Sequence, residues 1–152
     1  MADQVTIPLR DFGKTGVKIS ALGMGGHHLG EALNEDTAVE IIHRSVDGGI
    51  TFFDCCWEYN RGKSEDRLGK GLKGLREKVF LMSKVCTHGR DAGLAMQMLE
   101  QSLRRLQTDH LDLWQIHGVT FPNDPDLFIR PNGAAEALTR AKKIRQNQHQ
   151  TN

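Results

Sequence analysis

Asp54, Tyr59, Lys84 and His117 are the residues of this chain whose types and spacing can do chemistry. They are a carboxylate, a phenol, an ammonium and an imidazole, which together make an acid–base set. A phenol has an unperturbed pKa of roughly 10 and gives up its proton reluctantly at neutral pH. An ammonium beside it favours the phenolate, so Lys84 is expected to lower the Tyr59 value. In this reading Asp54 pairs with Lys84 and holds its charge in place, while His117 offers an N–H to orient or polarise a carbonyl oxygen. Such a set protonates an oxygen as it gains negative charge, which is what hydride addition to a carbonyl requires. No side chain can supply the hydride, so the chemistry implies a nicotinamide cofactor.

Each residue taken alone has an ordinary explanation. A lysine ending a strand is commonly a solvated rim residue, and a histidine in an apolar strand is commonly a hydrogen-bonded core residue. The carboxylate could cap a loop and the phenol could pack. Their shared placement carries the argument. Asp54, Lys84 and His117 close the apolar runs 51–54, 79–84 and 111–117, and Lys84 and His117 follow their predecessors by 30 and 33 positions. A helix-like stretch fills each gap. That rhythm is a series of β-α units, whose parallel strands deliver their C-terminal residues to one rim.

The elements follow from local patterning. Two short alternating runs, 7–12 and 17–20, flank Gly13-Lys14-Thr15-Gly16 and predict a β-hairpin. The run 21–26 predicts a buried strand whose glycines allow close approach by a ligand. Helices are expected over 35–47, 64–75, 92–106 and 134–143, from apolar residues at i, i+3 and i+4. Acidic residues open the first two helices, where the helix dipole favours them. In the third, Leu99, Leu103 and Leu106 form the inner face, with Arg104 and Arg105 outside. The stretch 119–132, with Pro122, Pro125 and Pro131, reads as a loop. Residues 144–152 are polar and aperiodic, and are expected to form a disordered tail.

Composition narrows the classes. A chain of 152 residues is ordinarily one domain. Twenty Lys and Arg against 19 Asp and Glu give a net charge of +1, so no strong field draws the protein to nucleic acid or lipid. The basic clusters at 63–78 and 140–145 read as solvated helix faces. No apolar run approaches the roughly 18 residues of a membrane span, and the N-terminus lacks the regions of a signal peptide. A cytoplasmic protein is expected. Cys55, Cys56 and Cys86 form no CxxC pair and suit a reducing compartment. Cys55 and Cys56 point to opposite faces if extended, the seven histidines are scattered, and no HExxH spacing occurs, so no metal site is expected.

The chain resembles the aldo-keto reductase family, NAD(P)H-dependent oxidoreductases built on a (β/α)8 barrel. Several segments carry the resemblance in order and spacing. They are the 10–20 hairpin, Leu22-Gly23-Met24-Gly25-Gly26, the Asp54-to-Tyr59 step, Ser64-Glu65-Asp66-Arg67-Leu68-Gly69, Ser83-Lys84, Ser102-Leu103-Arg104-Arg105-Leu106 and Ile116-His117. The resemblance implies that the hairpin plugs the barrel bottom. It also implies that Asp54, Tyr59, Lys84 and His117 are the catalytic tetrad, with Tyr59 as the acid reducing an aldehyde or ketone to an alcohol. The backbone around Gly25 and Gly26 and the side chain of Asp54 are expected beside the nicotinamide end of NADP(H), with NAD(H) as the alternative cofactor. Cys55-Cys56 stands where the family usually has Thr-Ala.

The resemblance runs to about residue 143, which implies an α/β fold of TIM-barrel lineage with about four β-α units, the N-terminal half of such a barrel, over 1–143. After Lys143 the family's fifth strand has no counterpart. A truncated barrel of this kind is expected to bind cofactor weakly, to turn over slowly as a single copy, and to form a homodimer through exposed edges. The alternative expectation is a half-barrel without catalysis that self-associates or serves as an interaction module.

Overall fold

The computed structural model describes residues 6–32, 34–86 and 90–150, with side chains through 144. Strands β1 (Leu9–Asp11) and β2 (Lys18–Ser20) form the antiparallel hairpin, with Leu9 opposite Ser20. Strands β3 (Gly23–Gly25), β4 (Phe52–Asp54), β5 (Phe80–Val85) and β6 (Leu113–Ile116) form a parallel sheet in that order. The helices between successive parallel strands are α1 (Glu35–Asp47), α2 (Lys63–Gly71) and α3 (Ala92–Leu106). After β6 come a short α4 (Asp124–Ile129) and α5 (Ala134–Gln150). The architecture is α/β with an open four-stranded sheet that does not close into a barrel among the described residues.

Capping fixes where the helices begin. The Asn34 side chain accepts from the Thr37 N–H at 2.8 Å to start α1, and Asp91 accepts from the Gly93 and Leu94 N–H groups to start α3. The hairpin sits at the N-terminal ends of the strands. Ser20 and Thr51 exchange hydrogen bonds of 2.9 and 2.8 Å, and the Phe12 ring packs 5.2 Å from that of Phe80. That end is therefore covered, and the opposite rim is left for chemistry.

Two apolar clusters support the sheet. One gathers Ile42, Phe53, Leu68, Leu72, Leu81 and Leu106 beneath β4 and β5. The other gathers Val85, Cys86, Ala92, Ala95, Met98, Ala134 and Ala137 between β5, α3 and α5. Strand β5 is buried almost throughout, as a central parallel strand covered on both faces must be. Trp114 on β6 packs against both clusters.

The elements depart from the sequence expectation in four places. The run 21–26 was expected to be a buried strand, but β3 is exposed at Gly23 and Gly25 and Leu22 is 59% exposed, because β3 has a neighbour on one side only among the described residues. Helix α2 ends at Gly71, and the remainder of the expected 64–75 helix is turn. The expected 119–132 loop contains α4, with Pro125 in its first turn, where a missing N–H costs nothing. Helix α5 runs to Gln150 instead of stopping at 143, because no glycine or proline in 144–150 interrupts it. Residues 144–150 are therefore helical where a disordered tail was expected, and positions 151 and 152 lie outside the described residues. No described helix is long and apolar enough to cross a membrane.

Candidate active site

Sheet register brings three of the four chemical residues to one side. Asp54 is paired with Met82, and Lys84 lies two residues further along β5 on the same face. Lys84 is in turn paired with Gln115, and His117 lies two residues beyond it. Gly25 is paired with Asp54 across β3 and β4. Gly25, Asp54, Lys84 and His117 thus climb across the sheet in steps, all facing one side of its C-terminal rim.

Lys84 is buried, at 8% exposure. It forms an ion pair with the Asp54 carboxylate and donates to the Cys55 carbonyl at 3.0 Å. A buried ammonium without such partners would be costly, so the pair keeps the charge in place. Tyr59 arrives from the loop after β4. The Lys84 Nζ lies 5.4 Å from its ring centroid, and the rings of His27 and His117 meet it edge-on at 5.0 and 5.6 Å. All four residues of the expected tetrad therefore meet at one place, and His27 joins them.

The Tyr59 proton is held more tightly than the sequence reading supposed. Burial pushes the phenol above its ordinary value, and the Lys84 charge opposes this without cancelling it. Spacing identified the ammonium but not the desolvation, which depends on the folded surroundings.

His117 is oriented from its far side. Its Nδ1 lies 2.7 Å from Glu58 Oε1 and 3.1 Å from Cys56 Sγ. Cys56 is fully buried, and that burial pushes its thiol up to about 12, while Cys55 is raised further by burial and by the charge of Glu65. Neither thiol is therefore a nucleophile in this setting. Cys56 and Glu58 were not among the expected site residues. Glu58 adjoins Tyr59, but nothing in the sequence pairs it with a histidine 59 positions away.

The Tyr59 loop is braced by helices behind it. Asn60, Arg61 and Gly62 all adopt positive φ, at 52°, 58° and 91°. Three successive left-handed residues, two of them not glycine, need surroundings that over-determine them. Asn60 Nδ2 donates to the His27 carbonyl at 2.6 Å. A Cβ on Gly62 would collide with the Arg105 guanidinium at 2.5 Å. Arg105 donates to the Trp57 carbonyl at 2.9 Å, stacks on the Trp57 ring at 5.3 Å, and pairs with Glu65 at 3.2 Å. Trp57 Nε1 donates to Gln101 on α3 at 2.8 Å.

One sequence reading is corrected here. Arg105 was expected on the outer face of α3, and Glu65 opens α2 as expected but does not face solvent. Glu65 is instead fully buried beneath Arg105, where it accepts from Ser83 at 2.7 Å. Burial pushes its carboxyl up, with the Ser83 and Arg105 contacts holding it partly down. Helical periodicity sorts apolar from polar faces but does not reveal a buried polar pair between two helices.

The glycines differ from one another. Gly25 has open space where a side chain would be, so its backbone can be approached closely. At Gly26 a Cβ would meet the Asp54 carbonyl and Cys55 Sγ at 2.9 Å, and its N–H is already given to the Asp54 carbonyl at 2.6 Å. Gly26 is therefore needed for close packing of β3 on β4. A separate cleft between α3 and α5, lined by Met96, Gln97, Glu136 and Arg140, shares no residue with the tetrad.

Parallel strands joined by helices, with Asp54, Tyr59, Lys84 and His117 gathered at their C-terminal rim, define a β/α architecture of barrel lineage. The sequence model of the aldo/keto reductase family matches residues 21–146, and the chain belongs to that family. Methylglyoxal reductase YeaE of Escherichia coli K12 is 40% identical over 102 residues, covering 66% of this chain and 36% of that protein. Aldo-keto reductase AKR11C1 from Bacillus halodurans, in its holo form, superposes with a TM-score of 0.77 at 30% identity, over 91% of this chain and 47% of that one. An aldo-keto reductase from Klebsiella pneumoniae in complex with NADPH superposes with a TM-score of 0.71 at 27% identity, over 91% and 48%. The chain thus spans less than half the length of each of these proteins.

Proposed function

We propose that this chain carries the proton-donating rim of a nicotinamide-dependent carbonyl reductase, with Tyr59 as the donor. The observation that carries the reading is the buried Lys84, paired with Asp54 and 5.4 Å from the Tyr59 ring, with His117 against another edge of that ring. The raised phenol keeps Tyr59 protonated until an alkoxide forms, and an alkoxide is far more basic than a phenolate. Once the proton has left, the Lys84 charge stabilises the phenolate. His117, held from behind by Glu58, turns its other ring nitrogen away from that contact, where an N–H can meet the carbonyl oxygen. Asp54 keeps the ammonium fixed through the step.

The residues present fit the nicotinamide end of the cofactor. Gly25 leaves its backbone open, and the Asp54 side chain is 38% exposed beside it. Gly25 and Asp54 would hold that end, with Gly26, whose N–H is given to the Asp54 carbonyl, keeping β3 close on β4, and the bound cofactor supplies the hydride. The NADPH complex of the Klebsiella relative favours NADP(H), with NAD(H) as the alternative. The substrate is then a small aldehyde or ketone.

The test compares wild type with Tyr59→Phe in aldehyde-dependent NADPH oxidation, with cofactor binding followed by quenching of Trp57 and Trp114. The expected loss of rate is about 10²–10⁴-fold with quenching unchanged. An unchanged rate in Tyr59→Phe, or a folded wild-type chain that neither quenches nor turns over, defeats the proposal.

A second reading rests on the sheet edges. Strands β3 and β6 each have a neighbour on one side only among the described residues, and unpaired strand edges invite pairing with another chain. In that reading the chain is a self-associating module. Sedimentation that gives a dimer without any response to cofactor would favour it.

A further inference from the structure

Cys56, Glu58 and His117 bring a thiol sulfur, a carboxylate oxygen and an imidazole nitrogen to one point behind the rim. Cys56 Sγ lies 3.1 Å from His117 Nδ1, Glu58 Oε1 lies 2.7 Å from the same Nδ1, and Sγ and Oε1 are 4.0 Å apart. Every pair of these ligand atoms falls within 4.8 Å. Nδ1 can offer at most one proton to two neighbours rich in lone pairs. Cys56 Sγ also lies 3.6 Å from the Lys84 carbonyl, so its thiol proton has an acceptor of its own and the lone pairs of Sγ, Oε1 and Nδ1 converge on one point.

We propose that this triad is a binding site for a borderline-soft divalent cation, with zinc as its natural class. Thiolate, imidazole and carboxylate are the ligand types that zinc takes, at bonds of about 2.3 Å to sulfur and about 2.0–2.2 Å to nitrogen and oxygen. Tetrahedral bonds of those lengths separate ligand atoms by about 3.4–3.6 Å. The observed separations of 2.7–4.0 Å lie on both sides of that range, so side-chain shifts of less than about 1 Å complete the site. Sulfur and nitrogen ligands disfavour magnesium and calcium.

The frame is suited to the task. Cys56 is fully buried on the backbone that follows β4, and its N-terminal neighbour is tied to β5 through the Cys55 N–H and the Met82 carbonyl at 2.9 Å. The His117 N–H is bound to the Val85 carbonyl at 3.0 Å, so the two strand ends carrying the ligands are fixed relative to one another. The Glu58 and His117 side chains are 32% and 27% exposed, which gives the cation an entry path and leaves a fourth position to water. Three protein ligands with one open position is the pattern of an accessible zinc site. Binding would displace the Cys56 thiol proton to solvent, fix His117 and add one net positive charge beside the rim, so the cation would act as an inhibitor of any proton transfer there.

The test needs no turnover. Cobalt(II) is added to the full 152-residue chain, kept reduced with a phosphine. The expected result is one cobalt per chain, a thiolate-to-cobalt charge-transfer band, visible bands of four-coordinate intensity, and displacement by zinc. Cys56→Ala, checked for fold by circular dichroism, should lose the charge-transfer band. Glu58→Gln, nearly isosteric, should weaken zinc binding at least about tenfold, since even outer partners of metal ligands matter by 10–100-fold. If Cys56→Ala fails to fold, Glu58→Gln decides. A folded chain without the band overturns the proposal, as does a band that survives Cys56→Ala or an affinity indifferent to Glu58→Gln. Cobalt bound without any thiolate band would lie elsewhere, at the exposed His27, His28 and Glu31 cluster, and would also overturn it.

Discussion

The two apolar clusters under the sheet are built on different plans, and each supports a different part of the rim. Beneath Asp54 and Tyr59 the core is made of large side chains, with Phe53, Ile42, Leu68 and Leu81 all fully buried. Beneath β6 and His117 it is made mainly of small ones, Ala92, Ala95, Ala134 and Ala137, where α3 and α5 approach closely. Large side chains hold geometry by filling volume, while small ones hold it by letting backbones meet. Polar ties accompany each plan. The large-residue side carries the buried Glu65–Arg105 pair, and the small-residue side carries the Arg90–Asp124 pair, with Asp124 also accepting from the Thr120 and Phe121 N–H groups. The difference teaches that Tyr59 rests on core volume, whereas His117 rests on close helix contact and loop hydrogen bonds.

The largest expected effect breaks the volume-filled side. Phe53→Ala removes a fully buried ring from the middle of β4 and should cost about 3–5 kcal/mol, read by urea denaturation. A cost below about 1 kcal/mol would mean that the site collapses freely, and the contrast between the two plans would fail.

Arg105→Leu comes next. It strands the fully buried Glu65 and removes the donor to the Trp57 carbonyl. Breaking a wholly buried ion pair costs about 3–5 kcal/mol, but Arg105 is 24% exposed and Glu65 can take up a proton, so about 2–3 kcal/mol is expected. The pH dependence fixes the cause. The Glu65 carboxyl is raised above 4.5 in the folded protein, so the native state binds more protons than the unfolded state in that window. Stability is then greatest below about 4.5 and declines as pH rises through the raised folded value. Arg105→Leu should raise that value further and extend the decline to higher pH, and Glu65→Gln should remove it. A stability profile in Arg105→Leu parallel to wild type would show that the arginine acts only by packing.

The same contrast explains what the sequence made legible. Strand ends, helix starts and the gathering of the four chemical residues were readable because each depends on local pattern, such as the acids Glu35 and Asp36 opening the first helix or apolar runs closing on Asp54, Lys84 and His117. The contacts that orient those residues were not readable. Cys56 and Glu58 reach His117 across 61 and 59 positions, and Arg105 reaches Glu65 across 40. Such partners depend on how β-α units stack, and periodicity within one helix is silent about the helix facing it. The raised Tyr59 was missed for a related reason, since spacing reports which charges are near but not how much water is excluded.

The smallest effect probes the close-packed side. Ala137 is 1% exposed on α5, faces the α3 alanines and borders the cleft between the two helices, so the added carbons of Ala137→Leu press on α3 wherever they do not reach that cleft. Overpacking of this kind costs about 1–3 kcal/mol, less than the cavity at Phe53, because α5 can move outward as a unit instead of leaving a void. That outward shift predicts a second readout. Asn132, two residues before α5, donates from its side chain to Asp91 at 2.7 Å, and the Ala92 N–H donates to the Asn132 carbonyl at 2.8 Å. Moving α5 should loosen these ties, so hydrogen exchange at Ala92 should quicken while exchange at Cys55, bonded to the Met82 carbonyl within the volume-filled side, stays unchanged. Equal acceleration at both amides would mean that the two clusters respond as one, and that Tyr59 and His117 share a single support.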